Sequence, residues 1–459
     1  MARKPSRLPD GSRISEALTV GVLARSFPLD RVRASLVATG KASVRERELP
    51  AHVMVYYVLA MALFTQVCCR EVLRWLLEGA QWLLGPEMPC KITGKSGISQ
   101  ARTRLGWEPL KQLYEERVRP VAQQRTRGAW YRHWRVVTLD GSTLEVADTQ
   151  ENQQAFGRPA ASRGSSAYPQ LRFVSLVENG THVLFGAQMG SYDTGEVTLA
   201  QQALPRLGAG QLCLADRNFL GYGLWTQAQA TGADLLWRAK RNLRLPCHQR
   251  LADGSYRSWI YPSEKDRRHH RHGLLVRVIE YRLEGVATSE TFYRLLTTIL
   301  EPHQAPAAEL AALYQERWEI ETALDEFKTH LRGAQMVLRS KTPELVRQEF
   351  YGFLMAHFAV RALMHEAALQ ANEDPDRLSF VHAVRVIRRK LPLFITFPLG
   401  RTRGLTPSRA PRDSAGTGRL QSRSANPQGR QTKDEQLPVA APRNIALGQD
   451  RLPFLHTGT

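Results

Sequence analysis

The segment Tyr314-Gln-Glu-Arg317-Trp-Glu-Ile-Glu321-Thr-Ala-Leu-Asp-Glu-Phe-Lys328 gathers residue types that handle phosphodiesters. Read as a helix at about 100° per residue, Arg317, Glu321 and Lys328 fall within a narrow arc, with Tyr314 beside them. One face then carries a carboxylate flanked by two cations and an aromatic hydroxyl. A carboxylate can hold a metal ion, and the two cations can hold phosphate oxygens. The plain alternative is an exposed helix with an i, i+4 Arg–Glu pair, worth about 0.3–0.5 kcal/mol. On spacing alone, Asp325 and Glu326 compete with Glu321 for the ligand role.

Two more carboxylates follow short apolar runs. Asp140 follows Val136-Val137-Thr138-Leu139 and precedes Gly141-Ser142. Asp216 follows Leu212-Cys213-Leu214-Ala215 and precedes Arg217-Asn218-Phe219. Strand ends are where α/β proteins build sites. Each Asp by itself could simply cap a turn, and Asp148 competes with Asp140. Two Asp and one Glu converging would hold two divalent metals, one activating water or a 3′-hydroxyl and one stabilising the leaving oxygen. Magnesium suits such a set, because it takes few carboxylates and keeps water and phosphate oxygens as its other ligands.

The elements that must position these groups can be read from periodicity. A flexible basic arm, residues 1–13, precedes an all-helical region, 14–128, in which Leu49-Pro50 opens an apolar helix and Pro109 to Gln124 forms a later one. That region suits either DNA binding or packing and dimerisation. From Trp134 the pattern changes to strands. Trp134 to Ala147 reads as a strand, a polar break at Asp-Gly-Ser and a second short strand. Leu171 to Ser191 reads as a hairpin turning at Glu178-Asn179-Gly180. Strand Gln211–Ala215, helix Gly223–Gly232 and strand Ala233–Ala239 complete a first core segment, 129–241, of mixed-sheet α/β type. Residues 242–300 read as a β-rich insertion without a helix, and 301–400 as a last core segment carrying the Glu321 helix and further helices. Residues 401–459 read as a disordered basic tail.

Composition narrows the partner. Lys and Arg number 63 against 43 Asp and Glu, a net charge of +20. A folded chain this basic implies a polyanion, with DNA or RNA first and a membrane surface second. The longest apolar run, Val53 to Phe64, has 12 residues, short of the roughly 20 that span a bilayer. The N-terminus has no apolar signal core. Five cysteines at Cys68, Cys69, Cys90, Cys213 and Cys247 lack zinc-ribbon spacing and suit a reduced, cytoplasmic chain. Arg267-Arg268-His269-His270-Arg271-His272 reads as a solvated, DNA-facing loop rather than a zinc site.

On these residues the chain resembles DDE transposases of the insertion-element-four family. That family's Y-(2)-R-(3)-E-(6)-K signature is matched by Tyr314, Arg317, Glu321 and Lys328. Its first Asp after a hydrophobic strand is matched by Asp140, and its second by Asp216, with a β-strand insertion before the Glu. Arg45-Glu46-Arg47-Glu48-Leu49-Pro50 also looks familial. The resemblance spans roughly residues 15–395 and selects Glu321 over Asp325 and Glu326. It implies an RNase H-like core whose Asp140, Asp216 and Glu321 are catalytic and hold two Mg2+ ions, with Mn2+ able to substitute. It implies cleavage at transposon terminal inverted repeats, strand transfer into double-stranded target DNA, and a homodimer on paired ends. Tyr314, Arg317 and Lys328 would contact DNA. Tyr293 would stack on a flipped base, a contact worth about 1–3 kcal/mol, and Lys240 and Arg241 would line the DNA path. The tail departs from the family's Arg/Lys-rich helical ending, which suggests an altered or decayed copy. Two rival readings are a repurposed DNA-binding protein without catalysis and a structure-specific nuclease.

Overall fold

The computed structural model describes residues 21–44, 49–84, 94–159, 168–283, 292–333, 337–390 and 445–447. The basic arm, Arg45 to Glu48, Cys90 and nearly all of the tail lie outside the described residues.

After a helical stretch at residues 21–26 come α1 (Leu29–Ala38), α2 (Ala51–Leu63), α3 (Cys69–Leu84), α4 (Lys95–Leu105) and α5 (Glu108–Arg117). Pro28 and Pro50 stand immediately before α1 and α2 with extended backbone, as a ring that cannot donate a hydrogen bond favours. α2 is apolar around its whole circumference and is buried from Val53 to Leu63. α5 stops at Arg117, short of the expected Gln124. Pro120 accounts for this, because it disfavours helical backbone in the residue before it.

The sheet follows. Its strands are β1 (Trp130–Tyr131), β2 (Trp134–Glu145), β3 (Gln170–Glu178), β4 (Val183–Ser191), β5 (Gln211–Ala215), β6 (Asp234–Arg238), β7 (Gln249–Arg250), β8 (Tyr256–Ile260), β9 (Leu274–Leu283) and β10 (Phe292–Thr297). The order across the sheet is β4-β3-β2-β5-β6-β10-β9-β8-β7. β2, β5 and β6 run parallel, while β3 and β4 return antiparallel on one side. A hairpin flanking a parallel trio is the RNase H-like arrangement. Short helices α6 (Gln150–Phe156), α7 (Glu196–Ala203) and α8 (Tyr222–Ala230) connect these strands.

Three expectations need correction. β2 is one strand of 12 residues through Asp140, not two strands with a break. β5 pairs with it only as far as Leu139, but β3 pairs with it from Val137 to Glu145 and carries it past the Asp-Gly-Ser step. Residues 242–300 are β-rich but hold a helix, α9 (Glu264–Arg268), whose cap Ser263 accepts from the Asp266 N–H. β10 also pairs with β6, so the added strands continue the core sheet. Within the tail, β11 (Ile445–Leu447) is described, and it pairs antiparallel with β9.

The last helices are α10 (Ala307–Gln315), α11 (Glu319–Asp325), α12 (Pro343–Ala371) and α13 (Phe380–Lys390). α12 ends at Asn372 in the left-handed conformation, a residue that tolerates it. The aromatic rings of Phe173 on β3 and Phe350 on α12 meet at 5.4 Å, and Tyr351 of α12 meets Tyr114 of α5 at 5.6 Å. The helical region and the sheet therefore share a continuous core through α12.

Glu178, at the end of β3, joins the same parts by polar contacts. It is fully buried and accepts from the backbone N–H groups of Val121 and Ala122, from Thr181 Oγ1 and from Arg135. Removing one partner of a buried pair strands the others, at a cost of about 3–5 kcal/mol. Glu178→Ala should lower stability by that amount in urea unfolding, and Glu178→Gln, which keeps an acceptor, by less. An unchanged midpoint for Glu178→Ala would show that this clamp adds nothing.

Candidate active site

Strand parity decides which side chains share a face. On β2, Trp134 and Val136 lie in one buried cluster with Leu212 and Leu214 of β5 and with Leu310, Ala311, Leu313 and Tyr314 of α10. Counting on by twos, Asp140 and Ser142 follow on that face of β2, and Asp216 follows beyond β5. Parallel pairing places Leu139 opposite Ala215. The next residue on each strand is the Asp, so Asp140 and Asp216 stand side by side just past the end of the paired ladder. Asp140 is therefore inside a strand rather than at its end, and Asp216 follows one.

α10 covers this face and continues as a rod. It tightens into a 3-10 turn at Glu316–Trp318, resumes as α11, and widens into a π-helix at Glu326–Leu331. A uniform helical wheel is thus only approximate from Tyr314 to Lys328. π segments of this kind gather at functional sites. The rod is anchored at its start by the β3–β4 turn. Thr138 Oγ1 donates to Asn179 Oδ1 at 2.8 Å, Asn179 Nδ2 donates to the Glu316 carbonyl at 3.4 Å, and the Gly180 N–H donates to Glu319 Oε2 at 2.8 Å.

The signature residues meet the sheet in different ways. Arg317 is nearly buried, with Nη1 3.5 Å from Asp140 Oδ2 and Nη2 4.0 Å from Glu321 Oε1. One guanidinium therefore sits between two of the three carboxylates. Tyr314 is buried, and its hydroxyl donates to the Ala215 carbonyl at 3.2 Å, the residue before Asp216. Lys328 Nζ donates to Ser142 Oγ at 2.8 Å. Glu321 keeps 53% of its side chain exposed. Its two rivals are engaged elsewhere: Glu326 is buried against Arg361, and Asp325 lies 3.1 Å from His330. Asp148 is paired with Arg158 at 2.6 Å.

Electrostatics support the convergence. Burial raises the Asp140 carboxyl to about 6; the Gly141 N–H and Arg317 oppose this, and Asp216 and Glu196 add to it. Glu321 is also raised, by burial first, with Arg317 opposing and Asp216 reinforcing. The Asp216 charge is thus felt at both other carboxylates. Lys328 is lowered, by burial and then by Arg332. Among the described residues, the one group of three metal-ligating side chains within 4.8 Å is elsewhere, at His182, Glu319 and Asp376. The DDE carboxylates stand further apart, with Arg317 between Asp140 and Glu321.

The remaining expected residues flank this edge. Lys240 and Arg241 are exposed just beyond β6, which ends on the same side as β5. Tyr293 lies on β10 with its ring stacked on Tyr281 at 5.2 Å and the Arg238 guanidinium 4.5 Å from its centroid. His269, His270 and His272 are exposed. Ser142 and Glu196 were missed. Ser142 could have been found by its parity with Asp140, but no linear signal points to Glu196.

Residues 134–359 match the model of the transposase DDE domain, and residues 17–115 match that of the insertion element 4 transposase N-terminal region. The chain belongs to the insertion-element-four family of DDE transposases. It is 29% identical over 394 residues to the transposase InsG for insertion sequence element IS4 of Escherichia coli (strain K12), covering 84% of this chain and 85% of that protein. A solved piggyBac transposase synaptic complex with hairpin DNA is similar with a TM-score of 0.43 and 10% identity, over 82% of this chain and 80% of that one. As a DDE transposase, the chain is an enzyme of DNA transposition, and its family uses divalent metal ions. No helix among its described residues is long and apolar enough to cross a membrane.

Tyr314 can be tested as a positioning residue. Tyr314→Phe removes one hydrogen bond, worth about 0.5–1.5 kcal/mol, from the backbone that presents Asp216. Cleavage should fall several-fold while duplex DNA affinity stays within about twofold. A matching loss of affinity would instead make Tyr314 a DNA contact.

Proposed function

We propose that Asp140, Asp216 and Glu321 are the catalytic carboxylates of this transposase and that they hold two Mg2+ ions, with Mn2+ able to substitute. The observation that carries this is the register of β2 on β5, which sets Asp140 beside Asp216 under the rod that bears Glu321. The donor set fits. It offers hard carboxylate oxygens, partly open to solvent, and burial raises the Asp140 and Glu321 carboxyls above their ordinary values. When bound, the ions supply an activated water or 3′-hydroxyl and charge at the leaving oxygen.

The chain's own residues do the rest. Arg317 balances Asp140 and Glu321 and is placed to take a phosphate oxygen near the scissile bond. Lys328, poised on Ser142, reaches the same face. Tyr314 holds the end of β5 in place. Lys240 and Arg241 carry charge along the path of the phosphate backbone, and Tyr293 offers an aromatic ring for a displaced base. The helical region, 14–128, engages transposon ends, while 129–241 and 301–400 form the catalytic core and 242–300 its insertion. The substrates are double-stranded terminal inverted repeats and target DNA, cut and joined by a homodimer on paired ends in the cytoplasm.

The first experiment is Mg2+-dependent cleavage of a labelled duplex carrying the gene's own flanking ends. Asp140→Asn, Asp216→Asn and Glu321→Gln should each abolish cutting and leave binding within about threefold, since each removes a ligand and little positive charge. Robust cutting by any of the three would reject that residue.

Proton and cation compete for Asp140. Its carboxyl is raised to about 6 in the fold, so the metal-free protein loses stability as pH rises through that value and regains it below. Mg2+ binding runs the other way. The Mg2+-induced rise in melting temperature should be larger at about pH 7.5 than at about pH 5, and Asp140→Asn should remove most of the difference. Equal rises in the wild type would exclude Asp140 as a ligand.

A further inference from the structure

Three segments meet on the side of the rod away from Glu321. They are the turn after β3, the start of α11 and the loop between α12 and α13. Glu319 lies two residues before Glu321, about 200° round the helix. His182, Glu319 and Asp376 each offer a ligand atom, and these atoms lie within 4.8 Å of one another.

The histidine is what distinguishes this group from a chance acidic cluster. His182 is 3% exposed, and its Nε2 makes no hydrogen bond. That nitrogen is aimed into the cluster, 3.2 Å from Asp376 Oδ1. Behind it, Nδ1 faces Glu326 Oε2 at 3.4 Å, and Arg361 Nε donates to the same Glu326 oxygen at 2.8 Å. A carboxylate behind a histidine is how proteins orient an imidazole toward a metal. Glu319 spends Oε2 on the Gly180 N–H, which leaves Oε1 for a ligand.

We propose that His182, Glu319 and Asp376 form a second divalent-metal site, separate from the DDE carboxylates. One imidazole nitrogen and two carboxylate oxygens suit Zn2+, with water in the fourth position. Asp376 is partly exposed and gives the ion a way in. The site ties the β3–β4 turn and the α12–α13 loop to the first turn of α11, and so positions the helix that carries Glu321. The rival arrangement needs no metal. Arg361 also meets His182 Nδ1; with Nδ1 accepting, Nε2 would carry a proton toward Asp376.

The test uses the full chain carrying Asp140→Asn, Asp216→Asn and Glu321→Gln, so that the DDE site cannot contribute. Zn2+ titration by calorimetry should give about one equivalent, and Co2+ should give a visible absorption band typical of nitrogen-containing, low-coordinate sites. Adding Asp376→Asn should weaken Zn2+ binding roughly tenfold or more. This partly exposed position keeps the test valid if His182→Gln fails to fold. Absence of Zn2+ binding in the triple variant, or binding that survives Asp376→Asn undiminished, would overturn the site and leave the proton-linked network.

Discussion

The active face depends on the register of one parallel strand pair. Leu139 opposite Ala215 means that the two aspartates leave the ladder together. A slip of one residue would turn either side chain to the other face. Slippage is opposed by burial on both sides of the sheet. Val136, Leu212 and Leu214 lie under α10, and on the opposite face Trp237 packs edge-on to Trp225 of α8 at 5.3 Å. Tyr314 then holds the Ala215 carbonyl where the ladder ends. The same apolar contacts that stabilise the sheet therefore set the spacing of the acids.

The charges in this face are arranged to be satisfied by something else. Burial and mutual repulsion raise Asp140 and Glu321, and Arg317 offsets only part of that. An arginine is suited to the task, because its planar fork reaches two carboxylates at once and stays charged. Its position between Asp140 and Glu321 lets one cation offset part of the charge of both. The rod's changing pitch matters here too. The 3-10 turn lies at Arg317 and the π-helix at Lys328, so the two cations are set by local winding as well as by sequence spacing.

Much of this was legible in the chain. The Asn179-Gly180 turn, the β5–α8–β6 unit and the spacing of Tyr314, Arg317, Glu321 and Lys328 follow from local rules of turn chemistry and periodicity. Errors arose where a distant partner overruled a local cue. Asp140-Gly141-Ser142 looks like a break, yet β3 supplies a hydrogen-bonded neighbour along its whole length. The strands after residue 242 look like a module of their own, yet the edge of β6 recruits β10. Pro120 was a local cue for the end of α5 that periodicity alone overlooked.

By itself, the sequence determined the residue types of the site, their order, the basic character of the chain and the alternation of strands and helices. These depend on composition and on neighbours within a few positions. Only the tertiary structure decided which acids share a face. It placed Glu326 in a buried pair with Arg361, Asp148 beside Arg158, and Asp140 beside Asp216. It also brought Glu196 and Ser142 to the site, and His182 to Glu319 and Asp376. The physical reason is that register, burial and ion pairing act between residues tens to hundreds of positions apart, and no local pattern encodes which partners the folded core brings within reach.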